Sequence, residues 1–276
     1  MPATTDTVAA MRAAAKEIRK QAVMMSHRSR AAHLGSALSC ADVLAAAYWG
    51  VLRVDPKNPA DPDRDRFILS KGHAASALFA TLALRGFFPV EALADYAKPG
   101  CHMEEHPTPH SAPGVEAATG SLGHGLPIGC GMALGARIAG RHTRVFVLMS
   151  DGEQNEGSVW EAAMFAGGQK LTNLCAVIDF NRWQATGRSC EVLALEPLAD
   201  KWRAFGWSVV EVDGHDVAAL AKAMNGLPDP SGKPLAIVAH TVKGKGVSFM
   251  EDDNNWHYRA PSDDDLARAL AELEGA

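Results

Sequence analysis

Val145-Phe146-Val147-Leu148-Met149-Ser150-Asp151-Gly152-Glu153, followed about thirty residues later by Leu174-Cys175-Ala176-Val177-Ile178-Asp179-Phe180-Asn181, decides how this chain folds. Each stretch begins as an unbroken apolar run and stops at a carboxylate. Apolar runs of this length, without polar alternation, suit parallel strands covered on both faces. Strand 144–149, helix 158–169 and strand 174–179 then make one crossover unit. In a doubly wound sheet the carboxyl ends of neighbouring strands open on one crevice, which brings Asp151 and Asn181 together. A carboxylate and a carboxamide are hard oxygen ligands suited to Mg²⁺ or Ca²⁺, and such a metal commonly arrives with a phosphate. Taken alone, Asp151-Gly152 also suits a plain strand-end turn.

Outward from this pair, the same alternation of strands and helices continues. Strand 207–212, helix 216–225 and strand 235–240 form a second crossover unit. Phe67 to Leu69 is a further short strand. Val8 to Arg30 has helical spacing, with Val8, Met11, Ala15, Ile18 and Ala22 on one face. Ser39 is placed to cap a helix from Ala41 to Tyr48. Further helices are expected over 74–84, 89–97, 126–139 and 262–274. Strands alternating with helices predict an α/β fold, a parallel sheet flanked by helices on both faces. No linker or repeat divides residues 1–276, so one domain is expected. Lys98 to Ser121 carries four prolines and no periodicity. A loop of that length inside a compact domain is commonly functional or disordered.

The 276 residues, 47% hydrophobic, suffice for one large core. A net charge of −5 offers no basic surface for nucleic acid. The five cysteines form no CxxC pair, which suits a reducing cytoplasm better than a disulfide framework. The first twenty residues carry Asp6 and Glu17 and lack the apolar core of a secretory signal. The longest uncharged stretch, Ala117 to Ala136, holds several glycines, His124 and Pro127, and reads as a loop entering a helix rather than a membrane span.

The Asp-Gly pair followed by Asn resembles the thiamine-diphosphate motif. Three more stretches resemble the transketolase family: His33-Leu34-Gly35-Ser36-Ala37-Leu38-Ser39, Ser70-Lys71-Gly72-His73-Ala74, and His240-Thr241-Val242-Lys243-Gly244-Lys245-Gly246-Val247-Ser248. Gly120-Ser121-Leu122-Gly123-His124-Gly125 resembles the family's Gly-Ser-Leu-Gly-Gln-Gly. The likeness runs from about Ala10 to Pro261 and implies the thiamine-diphosphate-binding fold of its diphosphate-binding type. It also implies a divalent ion held by Asp151, Asn181 and the Trp183 carbonyl. Gly152 would allow close approach to the diphosphate, and Glu153, next in the cofactor-binding stretch, would hold neighbouring backbone or a subunit contact, or sit on a solvated turn. Gly120 and Leu122 would lie along the cofactor rings. His33, His73, His106 and His257 would line the channel to the reacting carbon, His73 and His257 nearest the cofactor and His33 and His106 on the donor's hydroxyls. Near neutral pH an imidazole can both donate to an oxyanion and carry a proton. Lys71 or Lys243 could face the diphosphate, although a solvated lysine is the ordinary outcome.

The resemblance implies ketol transfer from a ketose, such as a sugar phosphate, to an aldose. In that family the glutamate facing the cofactor's pyrimidine belongs to a second domain, which residues 1–276 do not contain. A carboxy-terminal, pyrimidine-binding subunit is therefore expected as partner, in an α₂β₂ heterotetramer. Helix 126–139, with Gly129, Gly131 and Gly135, could pack on that partner or on its own sheet. His124, Glu105, Tyr258 and Trp183 depart from the family pattern. They leave open a relative acting on an unusual sugar, or a non-catalytic binding subunit. The Ser-Lys-Gly-His and His-Thr-Val-Lys-Gly-Lys-Gly-Val stretches argue against a 2-oxoacid dehydrogenase component.

Overall fold

The computed structural model describes residues 4–275. Helix α1 spans Thr5–Ser29, α2 Leu34–Ser39, α3 Ala41–Ala46, α4 Ala75–Leu84 and α5 Gly125–Ile138. Helix α6 spans Gly157–Gln169, α7 Ser189–Val192, α8 Leu198–Ala204, α9 Val217–Met224 and α10 Asp263–Gly275. Strands are β1 (Arg66–Leu69), β2 (Val145–Ser150), β3 (Leu174–Phe180), β4 (Ser208–Asp213) and β5 (Leu235–His240). The sheet order is β1-β2-β3-β5-β4, and every pairing is parallel.

The apolar runs that predicted buried strands work because alternate side chains serve two different cores. Phe146, Leu148, Cys175, Val177 and Ile237 point to one, with α1 to α4 and α9. Val145, Val147, Met149, Ala176 and Ile178 point to the other, with α5, α6 and α8. Both faces of the central strands are therefore dry, and their chemistry is confined to the ends. Helix α10 closes over α1. Gly129 of α5 belongs against the sheet, since a Cβ there would come within 2.6 Å of Val147, whereas Gly131 and Gly135 face open space.

The structure corrects some local expectations. The helix expected from Ala41 stops at Ala46 and continues as a π-turn over Ala47–Val51. Cys40, not Ser39, precedes it; the Ser39 hydroxyl donates instead to Asp179 at 2.6 Å. The 89–97 segment is a 3₁₀ turn over Val90–Asp95. Helix α8, unforeseen in the sequence, is pinned by buried Trp202, whose ring meets Trp207 at 4.7 Å.

Candidate active site

The site is built on the carboxyl ends of β2 and β3. Ser150 pairs with Asp179 in register, and the Asp151 N–H donates to the Asp179 carbonyl at 3.3 Å. Asp179 is fully buried. It accepts from Lys71, from the Ser39 and Thr241 hydroxyls, and from Asn181 Nδ2 at 3.2 Å. Burial opposes its charge, but the Lys71 ammonium and these donors hold the carboxyl below the usual range. Asn181 is thereby clamped, and its Oδ1 accepts from the Trp183 N–H at 3.1 Å.

Asp151 is equally buried but differently supplied. It accepts from the Gly152 N–H and the Ser189 hydroxyl, both at 2.8 Å. No described cation lies within ion-pair distance of it. Burial pushes its carboxyl up to about 6; Ser189 opposes this and Asp179 adds to it.

Above these strand ends lies a cavity of about 390 Å³. Four histidines enter it from four separate segments: His33 before α2, His73 in the turn after β1, His106 in the long loop, and His257 in the 3₁₀ turn Asn254–His257. His33 is the hub, with ring centroids 5.5 Å from His73, 5.8 Å from His106 and 5.1 Å from His257. It takes φ 70°, and its N–H donates to the His257 carbonyl at 2.7 Å. Gly120, at φ 150°, lets the chain press on His106; a Cβ there would come within 2.8 Å of the ring.

Burial, with nearby positive groups, lowers His33 to about 4 and His257 to about 3, and holds His73 well below the ordinary value. These rings are neutral at pH 7, able to accept at one nitrogen and donate at the other. Lys243 lies behind His257, its Nζ 3.0 Å from His257 Nδ1 and 2.6 Å from Asn254 Oδ1. Burial, then the Lys71 charge, lowers it to about 8. An ammonium has no lone pair, so Nδ1 accepts and the ring proton belongs on Nε2.

Among the residues singled out from sequence, His33, His73, His106, His257, Gly120, Leu122, Gly152, Asn181 and Trp183 all line this cavity. Glu153 does not: its carboxylate is buried behind the wall, accepting from Ser70, Gly123 and Ser150. It braces the Gly120–Gly125 turn against the strand end rather than facing a ligand. Lys243 reaches the cavity only through His257. Lys71 is neither solvated nor facing a diphosphate; it is fully buried against Asp179 and the Ser36 carbonyl. His124 is exposed, its Nδ1 3.2 Å from the Ser121 and Leu122 carbonyl oxygens. Glu105 Oε2 stands 3.8 Å from His33 Nδ1, and the Tyr258 ring is 4.7 Å from that of His257. Ser189, Asn155 and Gln184 also belong to the site; nothing in their spacing marks them.

The donor set suits a hard divalent cation. A buried carboxylate with only neutral donors, next to a clamped carboxamide, offers oxygen without thiolate or imidazole. Among the described residues no group of three or more His, Cys, Asp or Glu suited to a metal occurs. Gly152 lines the cavity beside Gln184, and a Cβ on it would press on that side chain at 3.1 Å, so a larger residue here would crowd the cavity wall.

Residues 10–274 match the family model for the transketolase thiamine diphosphate binding domain. One of the subunits of an apulose-4-phosphate transketolase from Phocaeicola vulgatus is 42% identical, the match covering 92% of this chain and 90% of the relative. The 6-deoxy-6-sulfo-D-fructose transketolase subunit SqwG of a Clostridium species is 43% identical, with 88% of each covered. Among solved structures, a transketolase from Pichia stipitis superposes with TM-score 0.90 at 30% identity, covering 96% of this chain and 40% of that one. One from Leishmania mexicana gives 0.89 at 28% identity. The chain thus spans about two fifths of these solved transketolases and nearly the full length of the two single-subunit relatives.

Proposed function

The chain belongs to the transketolase thiamine diphosphate-binding family, and from that premise we propose that it is the cofactor-binding subunit of a split transketolase. It moves a two-carbon ketol unit from a ketose to an aldose. The observation that carries this reading is the meeting of four histidines, three of them held neutral, over the Asp151 and Asn181 strand ends.

Thiamine diphosphate supplies the carbon nucleophile, and Mg²⁺ or Ca²⁺ offsets the charge of its diphosphate. Asp151 and Asn181, with the backbone carbonyl of Trp183, hold the metal. Gly152 gives the diphosphate access to the backbone, and Gly120 and Leu122 flank the rings. His33 and His106 take the donor's hydroxyls. His257, with its proton on Nε2, donates to the oxygen that gains charge as the carbon–carbon bond rearranges, and His73, its ring 5.7 Å from that of His257, stands with it near the cofactor. Residues 1–276 act as one domain. The carboxylate that faces the pyrimidine comes from a second, carboxy-terminal subunit, in an α₂β₂ assembly. Support for such a contact is the outer face of α5 and α6, where Ile138, Met164 and Phe165 are 78%, 58% and 43% exposed beside the open Gly131 and Gly135.

The donor is a specialised sugar rather than a general pentose phosphate. Two relatives of this chain's length carry names for apulose-4-phosphate and 6-deoxy-6-sulfo-D-fructose. Glu105 and Tyr258 lie against His33 and His257, where the family pattern has glycine. The test is a coupled ketol-transfer assay with several ketose donors. The chain alone gives no turnover, and adding the pyrimidine-binding subunit restores it. Robust activity from the chain alone contradicts the split site.

A further inference from the structure

A larger cavity, of about 660 Å³, lies at the other end of the sheet. His142 and Arg144 lead into β2, and Thr172 and Asn173 lead into β3, so it opens at the strands' amino ends. A six-residue strand separates it from the histidine cavity by roughly 20 Å. Arg53, Arg137, Arg141 and Arg144 line it, with an apolar wall of Val51, Leu227 and Pro228.

Part of this arginine cluster has an ordinary structural use. Arg144 donates to the Val51 carbonyl, Arg53 to that of His142 and Arg137 to that of Gln169, each at 2.6 Å. These contacts leave much of the donor capacity unused. Arg53 Nη1, Arg144 Nη1, Arg137 Nε, and both Nε and Nη2 of Arg141 make no hydrogen bond among the described residues. Asp65, fully buried, accepts from the guanidinium groups of both Arg53 and Arg144, which fixes two forks in place before any ligand arrives. Four guanidinium charges face two carboxylates, Asp65 and Asp63. The Asp63 pair with Arg141 is exposed at 67% and 38%, and such pairs contribute little. Positive charge therefore exceeds negative, in a concavity of the size that takes small ligands. The free Nε and Nη2 of Arg141 form one planar fork that can take two phosphate oxygens, and Arg53 and Arg144, whose other nitrogens are held by Asp65 and backbone carbonyls, each add an Nη1 donor.

We propose that this cavity is an anion site that binds a small phosphorylated molecule, separate from the histidine cavity. Arg53 and Arg144 form its rigid floor, and Arg137 and Arg141, where α5 ends, form its outer side. The inference stands apart from the ketol-transfer reading, because no residue is shared between the two cavities.

The experiment is titration calorimetry of the full chain with inorganic pyrophosphate, without divalent metal, at an ionic strength held constant with chloride. Saturable binding is expected. The double substitution Arg137→Gln and Arg141→Gln, which leaves Asp65 and its partners intact, weakens binding by about tenfold or more. Asp151→Ala, at the other end of the sheet, leaves it within about twofold. Should the double variant fail to fold by circular dichroism, Arg141→Gln alone carries the test, with an expected loss of about threefold or more. Heats no larger than the chloride control, undiminished binding in the arginine variants, or loss of binding in Asp151→Ala each overturn the proposal.

Discussion

The ends of β2 and β3 lie side by side, each carrying a fully buried aspartate, and they are built for opposite purposes. At the end of β3, Asp179 is neutralised from within the chain by Lys71 and surrounded by Ser39, Thr241 and Asn181. At the end of β2, Asp151 has one backbone N–H and one hydroxyl. The first charge is satisfied and makes a rigid support. The second retains a demand for positive charge that the chain itself does not meet. A buried carboxylate is thus informative through its partners, not its burial.

The comparison can be broken most severely at Asp179. Asp179→Ala strands the Lys71 ammonium in the core, at a cost of about 3–5 kcal/mol in urea-unfolding free energy. A loss under about 1 kcal/mol would mean that the pair does not hold the strand end. Next in size is His257→Ala in the assembled enzyme, expected to lower kcat/KM by about 10²–10⁴ with bound metal and diphosphate retained. A change below about fivefold would place His257 outside the chemistry despite its position in the cavity.

The smallest expected effect is a null shift. As pH falls from 8 to 5, the ring resonances of His33 and His257 stay in place, because their values near 4 and 3 lie below that window. The sign follows from linkage: the unfolded chain takes up protons near 6.5 while the folded one does not. Their contribution is therefore intact above about 6.5 and is lost as pH falls toward the folded values. Proton NMR midpoints near 6.5 would show that the rings are solvated and the cavity is not dry.

Much of this was legible in the sequence because it is local. A strand end followed by Asp-Gly, and another followed by Asn, puts the two proposed ligands at neighbouring strand ends without knowledge of the rest of the chain. The proline-rich loop 98–121, functional or disordered on its sequence alone, delivers His106 and Gly120 to the cavity. What escaped depends on distant partners. Lys71 meets Asp179 across 108 residues, and Ser39 meets it across 140, so neither the buried ion pair nor the failure of Ser39 as a cap could be read from neighbours. The sequence leaves a backbone brace, a subunit contact and a solvated turn open for Glu153, and Ser70 and Gly123, both far from it along the chain, make it the brace. Ser189 lies in a stretch with no periodicity at all, and only the fold brings its hydroxyl to Asp151.

The most direct measurement is metal-dependent binding of thiamine diphosphate to the assembled enzyme carrying Asp151→Ala, with the melting temperature of the variant chain recorded alongside. Removing a carboxylate that offsets the diphosphate-bound metal costs several kcal/mol, a loss of about a hundredfold or more in affinity. The fold should be nearly unaffected, since Asp151 holds no buried cation of its own. Affinity within about threefold of the unaltered enzyme would contradict the account and remove Asp151 from the metal site.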